Sequence, residues 1–572
     1  MTETKFRRSF FFLAPAVIAI FAVIIMADLL RASGEAGTGN GDELVIVADT
    51  TASMQPELDA LAAAWPGSVI PVDGLDRLFH LVQYKDAVQY KGSTDEINQV
   101  QSWLQELTAA GGGDCEDAML QAIAAAARGV PESRMLLLSD SAPQGGRANL
   151  AFIMNKLVER GINIYPVISD WCSGAELSQS AMFSLARMTG GLAHIQEEDE
   201  SDVAVRGALN MMALADTMLV ENATVDGIKV YPLTVDNTVT TLGVDEEKCR
   251  VWCLTCTLAV NQAASLFEVT DDIILTVKDP NGNLLQAGDA GVEVNETSGG
   301  ASYLIDVAEV YTPSAGETSA EWEIIVEGSG DFVLSAAGQT GLHMAYLGKH
   351  VLSANDQQIL RARLTTDSGS PAVDESYVQF YLKHIMNGQV FPIDLYDDGQ
   401  HGDGQAGDGI YGGLVVPKRG LWYLGVGGKL ANGAEFQRED SVPIRVKGFR
   451  TSQPPDNQQV PGNSSTIHFS LTNDDAATGL NQASSKQYEL QGDSLYGWAN
   501  VDNVPASIVL APGETAVIDI QVNVPADAAL GAVEETFLTI VEDGDIGASD
   551  TLTVKTTAVD ELLLYLPNIA RP

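Results

Sequence analysis

Between residues 44 and 218 the sequence alternates short apolar runs with amphipathic stretches, and this alternation limits the possible folds more than any other feature. Residues 44–48 and 135–139 are apolar runs typical of buried strands, whereas residues 94–107 and 149–160 have helical periodicity. Strands and helices that take turns along a chain specify a parallel, doubly wound α/β sheet. Such a sheet holds its ligands at the carboxyl ends of its strands.

The remaining elements of this region follow the same two periodicities. We predict further strands at residues 78–84, 162–168 and 192–196, and further helices at residues 114–128, 179–188 and 202–218.

After Asn222 the helical patterns give way to β-branched alternation broken by Gly, Pro, Asn and Asp. Strands that recur every 8 to 12 residues are typical of β-sandwiches. The fold class we predict is therefore multidomain: a doubly wound domain is followed by three all-β, Ig-like or jelly-roll sandwiches and a short tail. The predicted bounds are 43–220, 221–342, 343–448, 449–560 and 561–572.

The N-terminal residues 1–33 have the composition of a signal peptide or an uncleaved signal-anchor helix. Lys5, Arg7 and Arg8 precede an apolar run over residues 10–27, and a Gly-rich linker follows at residues 34–42. Either alternative places the rest of the chain outside the cell, because the positive flank stays inside. We expect an exported cell-surface protein that contacts membrane only through this segment.

The formal net charge of −45 limits the partners of the chain. Nucleic-acid binding needs clustered Lys and Arg to displace counterions, so this charge excludes a nucleic-acid partner. A strongly acidic surface suits a salty or calcium-containing medium, and it also keeps a protein soluble without any binding role.

A run of oxygen-bearing side chains follows the first predicted strand. Asp49, Thr51 and Ser53 alternate along a tight loop, and hard divalent cations prefer such carboxylate and hydroxyl ligands. This Asp-x-Thr-x-Ser pattern resembles the first loop of the metal-ion-dependent adhesion site in von Willebrand factor A (VWA) domains. By itself the pattern also fits a polar loop that caps a helix.

Two further segments match the same family in order and spacing. Residues 111–116 resemble the Gly-rich second loop of the hemicentin-like branch, and Asp140 stands where the third loop supplies its Asp. Gly113 occupies the position where many relatives have a ligating Thr, so Asp114 is the nearest oxygen donor. The resemblance implies Mg²⁺ or Mn²⁺ held by Asp49, Thr51, Ser53, Asp114 and Asp140.

The resemblance also implies a function. Relatives with this site use the open position of the cation to bind an acidic group of a protein or glycan ligand. We do not expect an enzyme, because the sequence has no His-Glu-x-x-His motif, nucleophile elbow or P-loop. His80 lies between apolar residues of a predicted strand and is interpreted as a packed side chain.

Five cysteines in an exported chain are compatible with disulfides. Cys115 and Cys172 follow elements whose ends meet at the same edge of the predicted sheet, which favours a disulfide over two buried thiols. For Cys249, Cys253 and Cys256 we expect one local disulfide and a free thiol, since the Cys-x-x-Cys spacing lacks a second ligand pair for zinc.

An Asp- and Gly-rich segment lies in the second predicted sandwich. Asp397, Asp398, Asp403 and Asp408 are separated by glycines, which permit the left-handed turns of a loop around one ion. A calcium site and a solvated hairpin built from turn-forming residues are both compatible with this pattern. The loop resembles one found in extracellular sandwich domains and in relatives of the calcium-activated chloride channel regulators.

The preferred hypothesis is a bacterial surface protein for adhesion or ligand capture, with the sandwiches as a stalk or as further contact surfaces. The tail resembles a Tyr-Leu-Pro tail of exported proteins from some filamentous bacteria, although it equally fits a last strand. The alternatives are an envelope spacer with a vestigial metal site and, less favoured, a hydrolase.

Overall fold

The structure is a computed structural model, and it describes thirteen segments of the chain. These are residues 43–68, 78–112, 116–127, 130, 132–169, 179–196, 200–214, 216–248, 273–354, 356–366, 378–385, 388–474 and 484–560.

The first domain is built on a six-stranded sheet in the order β3-β2-β1-β5-β7-β8. Its strands are parallel except for the edge strand β3, which runs antiparallel to β2. The doubly wound prediction is confirmed in this part of the chain. The strands are β1 (Leu44–Asp49), β2 (Phe79–Tyr84), β3 (Val88–Thr94), β5 (Arg134–Ser139), β7 (Asn163–Ile168) and β8 (His194–Ile195), with the small pair β4 (Glu116–Asp117) and β6 (Ala142–Pro143) beside them.

Helices cover both faces of this sheet. In β1, Val45 and Val47 belong to one hydrophobic core, and Leu44, Ile46 and Ala48 belong to the core on the opposite face. A central strand buried on both sides therefore has a continuous apolar sequence. The helices are α1 (Gln55–Ser68), α2 (Ile97–Glu106), α3 (Met119–Ala126), α4 (Arg147–Glu159), α5 (Gln179–Met188) and α6 (Ser201–Ala213).

Three elements of this domain differ from the sequence prediction. Helix α1 and strand β3 were not predicted. The helix predicted at residues 202–218 ends at Ala213, because Met218 and Leu219 belong to a following strand and pack in the core of the next domain. The domain boundary predicted at residue 220 thus falls within that strand.

The second domain is one continuous six-stranded sheet, not two separate sheets. Its two longest strands, β9 and β14, are paired along nearly their whole length. Leu219 and Leu233, from opposite halves of β9, lie in the same core, so the ribbon curves around it. The elements are β9 (Asp216–Asp236), β10 (Thr241–Lys248), β11 (Ile274–Lys278), β12 (Val292–Thr297), β13 (Gly300–Asp306), α7 (Val307–Val310) and β14 (Ser319–Gln339).

The third domain has two sheets, with β15, β17 and β20 in one and the remaining strands in the other. Leu360 and Leu364 of the first sheet share a core with Leu424 and Val426 of the second, as in a β-sandwich. The strands are β15 (Leu342–Tyr346), β16 (Val351–Ser353), β17 (Gln358–Thr366), β18 (Gln379–His384), β19 (Val390–Ile393), β20 (Ile410–Val415), β21 (Gly420–Lys429), β22 (Glu435–Glu439) and β23 (Ile444–Lys447).

The fourth domain is also a two-layer sandwich, with sheet orders β24-β26-β30-β28 and β25-β32-β31-β27-β29. Phe469 of one sheet and Leu538 of the other belong to its core. The strands are β24 (Phe449–Ser452), β25 (Asn457–Gln459), β26 (Ser464–Asn473), β27 (Lys486–Ser494), β28 (Ala499–Asn500), β29 (Ser507–Leu510), β30 (Thr515–Asn523), β31 (Val533–Glu542) and β32 (Asp545–Ala558).

The domains do not follow one another as a simple stalk. Helix α4 of the first domain packs against β31 and β32 of the fourth, and α6 packs against β12 and β10 of the second. The first domain thus contacts both the second domain, which follows it directly in the sequence, and the fourth domain, which is the most distant from it in the sequence.

Several predicted features lie outside the described residues: the N-terminal segment 1–33, the linker 34–42, all five cysteines and the tail 561–572. Within the described ranges, none of the helices combines the length and apolar character that crossing a membrane requires.

Candidate metal centre

Asp49 ends the central strand β1, and its side chain is fully buried. Its Oδ1 accepts a hydrogen bond from the Thr51 backbone N–H at 2.8 Å, and its Oδ2 accepts one from Ser141 Oγ at 3.3 Å. The chain then turns through a short 3-10 segment, Ala52–Met54, into helix α1. The carboxylate is therefore held in one orientation at the carboxyl edge of the sheet.

Asp140 directly follows β5, the neighbour of β1 in the sheet. Thr51 Oγ1 donates a hydrogen bond to Asp140 Oδ1 at 3.2 Å, and Ser53 Oγ donates one to Asp140 Oδ2. Two loops that are 87 residues or more apart in sequence thus meet side chain to side chain. The structure brings together Asp49, Thr51, Ser53 and Asp140, four of the five residues predicted to bind the metal.

The Gly-rich second loop lies beside the first. The Ala52 N–H donates to the Gly111 carbonyl at 2.9 Å, and the Ala110 N–H donates to the Thr50 carbonyl at 3.1 Å. Gly112 has a φ of +83°, and a Cβ there would lie 2.9 Å from Thr51 Cγ2, so only glycine fits. Gly113 and Asp114 lie outside the described residues.

Three residues near this centre were not predicted from the sequence. Ser141 holds Asp49, Asp117 is buried with 2% exposure, and Lys85 Nζ donates to the Ala110 carbonyl at 2.7 Å. Ser141 and Asp117 each stand within three residues of a predicted ligand, which is the only sequence signal for them. Lys85 follows β2 and therefore reaches the same sheet edge.

Negative charge is concentrated at this edge. The pKa of Asp49 is raised to about 7, first by burial; the Thr51 N–H opposes that shift, and the charges of Asp140 and Asp117 add to it. Carboxylates crowded in this way repel one another, and a bound cation relieves the repulsion.

All the described side chains that could bind a metal ion at this site would do so through oxygen atoms. Across the described residues, no group of three or more His, Cys, Asp or Glu side chains has a metal-binding arrangement. The candidate donors are instead two carboxylates and two hydroxyls, which suit Mg²⁺ or Mn²⁺ better than zinc.

In the Asp- and Gly-rich loop of the third domain, the carboxylates accept hydrogen bonds from backbone N–H groups of the same loop. Asp403 accepts hydrogen bonds from the backbone N–H groups of Asp398 and Gly399, both at 2.6 Å. Asp397 accepts from the N–H groups of Gly407 at 2.7 Å and Gly409 at 2.9 Å. These bonds hold the loop together by themselves, and calcium binding there stays a prediction.

Asp398 and Asp408, the other two predicted calcium ligands, also act within this loop. Asp398 Oδ1 accepts from the Gln400 N–H at 2.9 Å and contacts His401 Nδ1 at 3.0 Å. Asp408 Oδ1 accepts from the Ile410 N–H at 2.9 Å. The hydrogen bond from His401 is the first cause that lowers the pKa of Asp398.

His80 is packed, as the sequence predicts. Its ring contacts Tyr90 Oη at 3.1 Å and Glu43 Oε2 at 3.2 Å. Burial lowers the pKa of its imidazole, and the Glu43 charge opposes that shift. The Cys115–Cys172 pair and the three cysteines at positions 249–256 lie outside the described residues.

Two family models match parts of the chain. Residues 43–197 match the von Willebrand factor A domain, and residues 343–446 match the second Ig-like domain of conditioned medium factor. No match was found among curated proteins.

Three of the solved structures that match share a distant likeness with the chain. Proximal thread matrix protein 1 from the mussel byssus is 12% identical with a TM-score of 0.25; the match covers 35% of this chain and 50% of that protein, so the chain spans about half its length. An aerotolerance-related membrane protein from Bacteroides fragilis is 14% identical with a TM-score of 0.23 over 30% of this chain and 99% of that one.

A third structure, the SpRpn10 VWA domain, is 13% identical with a TM-score of 0.22, covering 27% of this chain and 85% of that one. The family match agrees with the doubly wound sheet and with the loops at its carboxyl edge. Residues 43–197 of this chain are therefore a von Willebrand factor A domain, followed by β-sheet domains that include an Ig-like domain at residues 343–446.

Proposed function

We propose that the VWA domain binds a divalent cation, Mg²⁺ or Mn²⁺, and through it captures an acidic group of a protein or glycan ligand. Asp49, Thr51, Ser53 and Asp140 are the described residues that hold the cation in this proposal, and Asp114 is the further candidate. VWA domains are commonly involved in adhesion and ligand binding, so the proposal makes the general role of the domain specific to this site.

The observation that carries the proposal is the contact of Thr51 with both carboxylates. Its backbone N–H donates to Asp49 and its hydroxyl donates to Asp140. The two carboxylates thus lie on either side of Thr51, and we propose that their oxygens and the hydroxyl oxygen of Thr51 hold a single cation.

The exposure of the site supports capture of a ligand from solution. Asp49 is buried whereas Ser53 is exposed, so the oxygen donors extend from the sheet edge to the surface. A cation bound there supplies local positive charge on a chain of net charge −45, and this charge selects an acidic partner. With the N-terminal segment as an export signal or anchor, the proposed location is the surface of a bacterial cell.

The proposal is tested by titrating Mn²⁺ and Mg²⁺ into the full chain in a calorimeter. We expect the wild-type chain to bind one cation and Asp140→Asn to bind it at least about tenfold more weakly, because a charged ligand is lost. A pull-down from the native cell surface, with Mg²⁺ or with EDTA, then checks that ligand capture follows cation binding.

Asp95→Asn is the matched control because it removes the same charge from the same domain. Asp95 is exposed and follows Thr94, which pairs with Phe79 at the opposite end of the sheet from the metal centre. The proposal fails if Asp140→Asn and Asp95→Asn bind Mn²⁺ equally well, or if ligand capture survives EDTA.

A structural envelope spacer with a vestigial metal site is the second candidate. It is supported by Gly113 at the usual Thr position and by the packing of the VWA domain against the second and fourth domains. In this case the titration gives no heat of cation binding.

A further inference from the structure

A groove of about 510 Å³ lies between the second and third domains. Strand β9 forms one wall, and strands β18, β21 and β22 form the other. Its volume is within the roughly 300–1,000 Å³ typical of small-molecule sites. The groove is far in sequence from the metal loops and shares no residue with them.

The floor of the groove is a network of buried charges. Lys383 Nζ donates to Glu221 Oε1 at 3.0 Å and to Glu439 Oε2 at 2.6 Å. Tyr381 Oη donates to Glu439 Oε1 at 2.9 Å. The Lys383 side chain is 6% exposed, that of Glu439 is 1% exposed, and that of Glu221 is 17% exposed, so Glu221 is the most accessible of these three.

The lining charges are already paired with one another. Lys383 lies between Glu221 and Glu439, and at the rim Lys429 pairs with Glu435 at 3.1 Å. A charged ligand would therefore gain little binding free energy, because each charged side chain that lines the groove already has a partner of opposite charge. A neutral ligand with many hydroxyls is better matched, since each hydroxyl both donates and accepts hydrogen bonds.

Gly427 leaves space in this groove that no protein atom uses. A Cβ built there would have the Phe436 carbonyl oxygen, at 3.7 Å, as its nearest neighbour. Gly425, two residues earlier on the same strand, differs because its Cβ would lie 2.2 Å from the Tyr381 ring. A glycine in a strand interior often marks a bulge, a tight bend, or a place where a ligand or another backbone comes close, and the free space beside Gly427 fits the approach of a ligand.

The remaining wall residues provide both kinds of contact that a sugar ring needs. Val390 presents an exposed apolar side chain to the groove, and Thr234 and Gln437 carry hydrogen-bonding groups. A pyranose has apolar C–H faces and a rim of hydroxyls, and it fits a site of mixed character.

We infer that this groove is a carbohydrate-binding site for a neutral sugar. The ring packs over Gly427, and its hydroxyls hydrogen-bond with the Glu221 carboxylate and the polar wall side chains. Binding at this site does not depend on a divalent cation, so it is a second binding activity, independent of the one proposed for the VWA domain.

The experiment is ligand-observed saturation-transfer NMR on the full chain in EDTA, with glucose, galactose, mannose and N-acetylglucosamine as probes. We expect saturation transfer to the ring protons of at least one of these sugars. Because EDTA removes the cation, failure of the metal proposal leaves this result unchanged, and the two proposals are tested separately.

Two variants locate the binding. Gly427→Leu fills the groove without meeting a protein atom at Cβ and is expected to abolish saturation transfer. Glu221→Gln keeps the side-chain shape and is expected to weaken binding at least about tenfold, because it loses a charged hydrogen-bond acceptor. Thr466→Leu is the control, since it adds the same side chain at an exposed strand position of the fourth domain.

The melting temperature of each variant shows that it is folded. The inference is overturned if none of the four sugars receives saturation, or if transfer persists undiminished in Gly427→Leu. It is also overturned if the amine probe lysine methyl ester binds in the groove and the sugars do not.

Discussion

Buried ionisable side chains lie where the domains of this protein meet. Arg438 of the third domain pairs with Asp236 of the second at 2.8 Å, and both side chains are fully buried. His194 of the VWA domain lies 3.5 Å from Asp245 of the second domain. Moving the domains apart would leave the Arg438 or Asp236 charge buried without its partner, so this ion pair favours the observed position of the third domain on the second.

His194 makes stability depend on pH. Burial lowers the pKa of His194 to about 4 from 6.5. Between these values the unfolded chain binds a proton that the folded chain does not, so stability decreases as the pH falls from 6.5 towards 4. We expect His194 to account for about 2 kcal/mol of lost stability between pH 7 and pH 5, measured by urea unfolding.

Asp245 changes the stability in the opposite direction. Burial raises the pKa of its carboxyl, so acidification favours the folded state at this residue. The informative comparison is therefore between variants at the same two pH values. His194→Gln is expected to lose less stability than wild type on acidification, because it removes the group whose protonation opposes folding. Equal losses in wild type and His194→Gln would rule out this role for His194.

At the scale of the elements, close backbone approach decides where the strands of the VWA sheet lie. Gly191 follows helix α5 and lies against β7, where a Cβ would be 1.8 Å from the Ile164 carbonyl oxygen. The neighbouring Thr189 hydroxyl accepts a hydrogen bond from the Ile164 N–H at 3.2 Å. Glycine at this position lets the chain turn from α5 into the edge strand β8.

We predict that Gly191→Ala destabilises the VWA domain by about 1–3 kcal/mol or more, because the added methyl group overlaps a backbone atom. Urea unfolding, followed by the fluorescence of the Trp residues, measures the change. Gly427→Ala is the matched control, since its Cβ has free space on a regular strand, and it is expected to be neutral or slightly stabilising. The explanation is wrong if the two substitutions have the same effect.

At the scale of the whole molecule, the VWA domain is joined to the fourth domain by an extended contact. Phe152 of α4 and Phe537 of β31 meet edge to face, with ring centroids 5.4 Å apart. Asn155 donates to Thr551 Oγ1 at 3.0 Å and accepts from Arg445 Nη2 at 2.7 Å. The contact thus combines a buried aromatic pair with hydrogen bonds to the third and fourth domains.

We predict that Phe537→Ala separates the VWA domain from the fourth domain, because removing a buried Phe costs about 3–5 kcal/mol. Small-angle X-ray scattering should then show a larger radius of gyration, and limited proteolysis should be faster between domains. Phe469→Ala is the control, as it removes a Phe from the interior of the fourth domain and not from the contact. An unchanged radius of gyration for Phe537→Ala would contradict the prediction.

The sequence alone determined the class of the first domain and most of the residues that meet at its candidate metal centre. Apolar runs such as residues 44–48 can be recognised as central strands, because a strand that is buried on both faces must be apolar at every position. Asp49 and Asp140 were predictable because each directly follows such a strand, and neighbouring parallel strands end at one edge. The helix predicted at residues 202–218 was wrong at its end, since a short apolar run such as residues 218–220 fits helix and strand equally well.

Features that depend on contacts between residues far apart in the sequence became known only from the tertiary structure. The meeting of Phe152 with Phe537, the burial of Lys383 between two glutamates, and the free space at Gly427 each join segments that lie far apart in the chain. Local periodicity carries no information about such contacts, because they are set by how whole domains pack. For this reason the VWA fold follows from the sequence, whereas the arrangement of the domains and the groove between them does not.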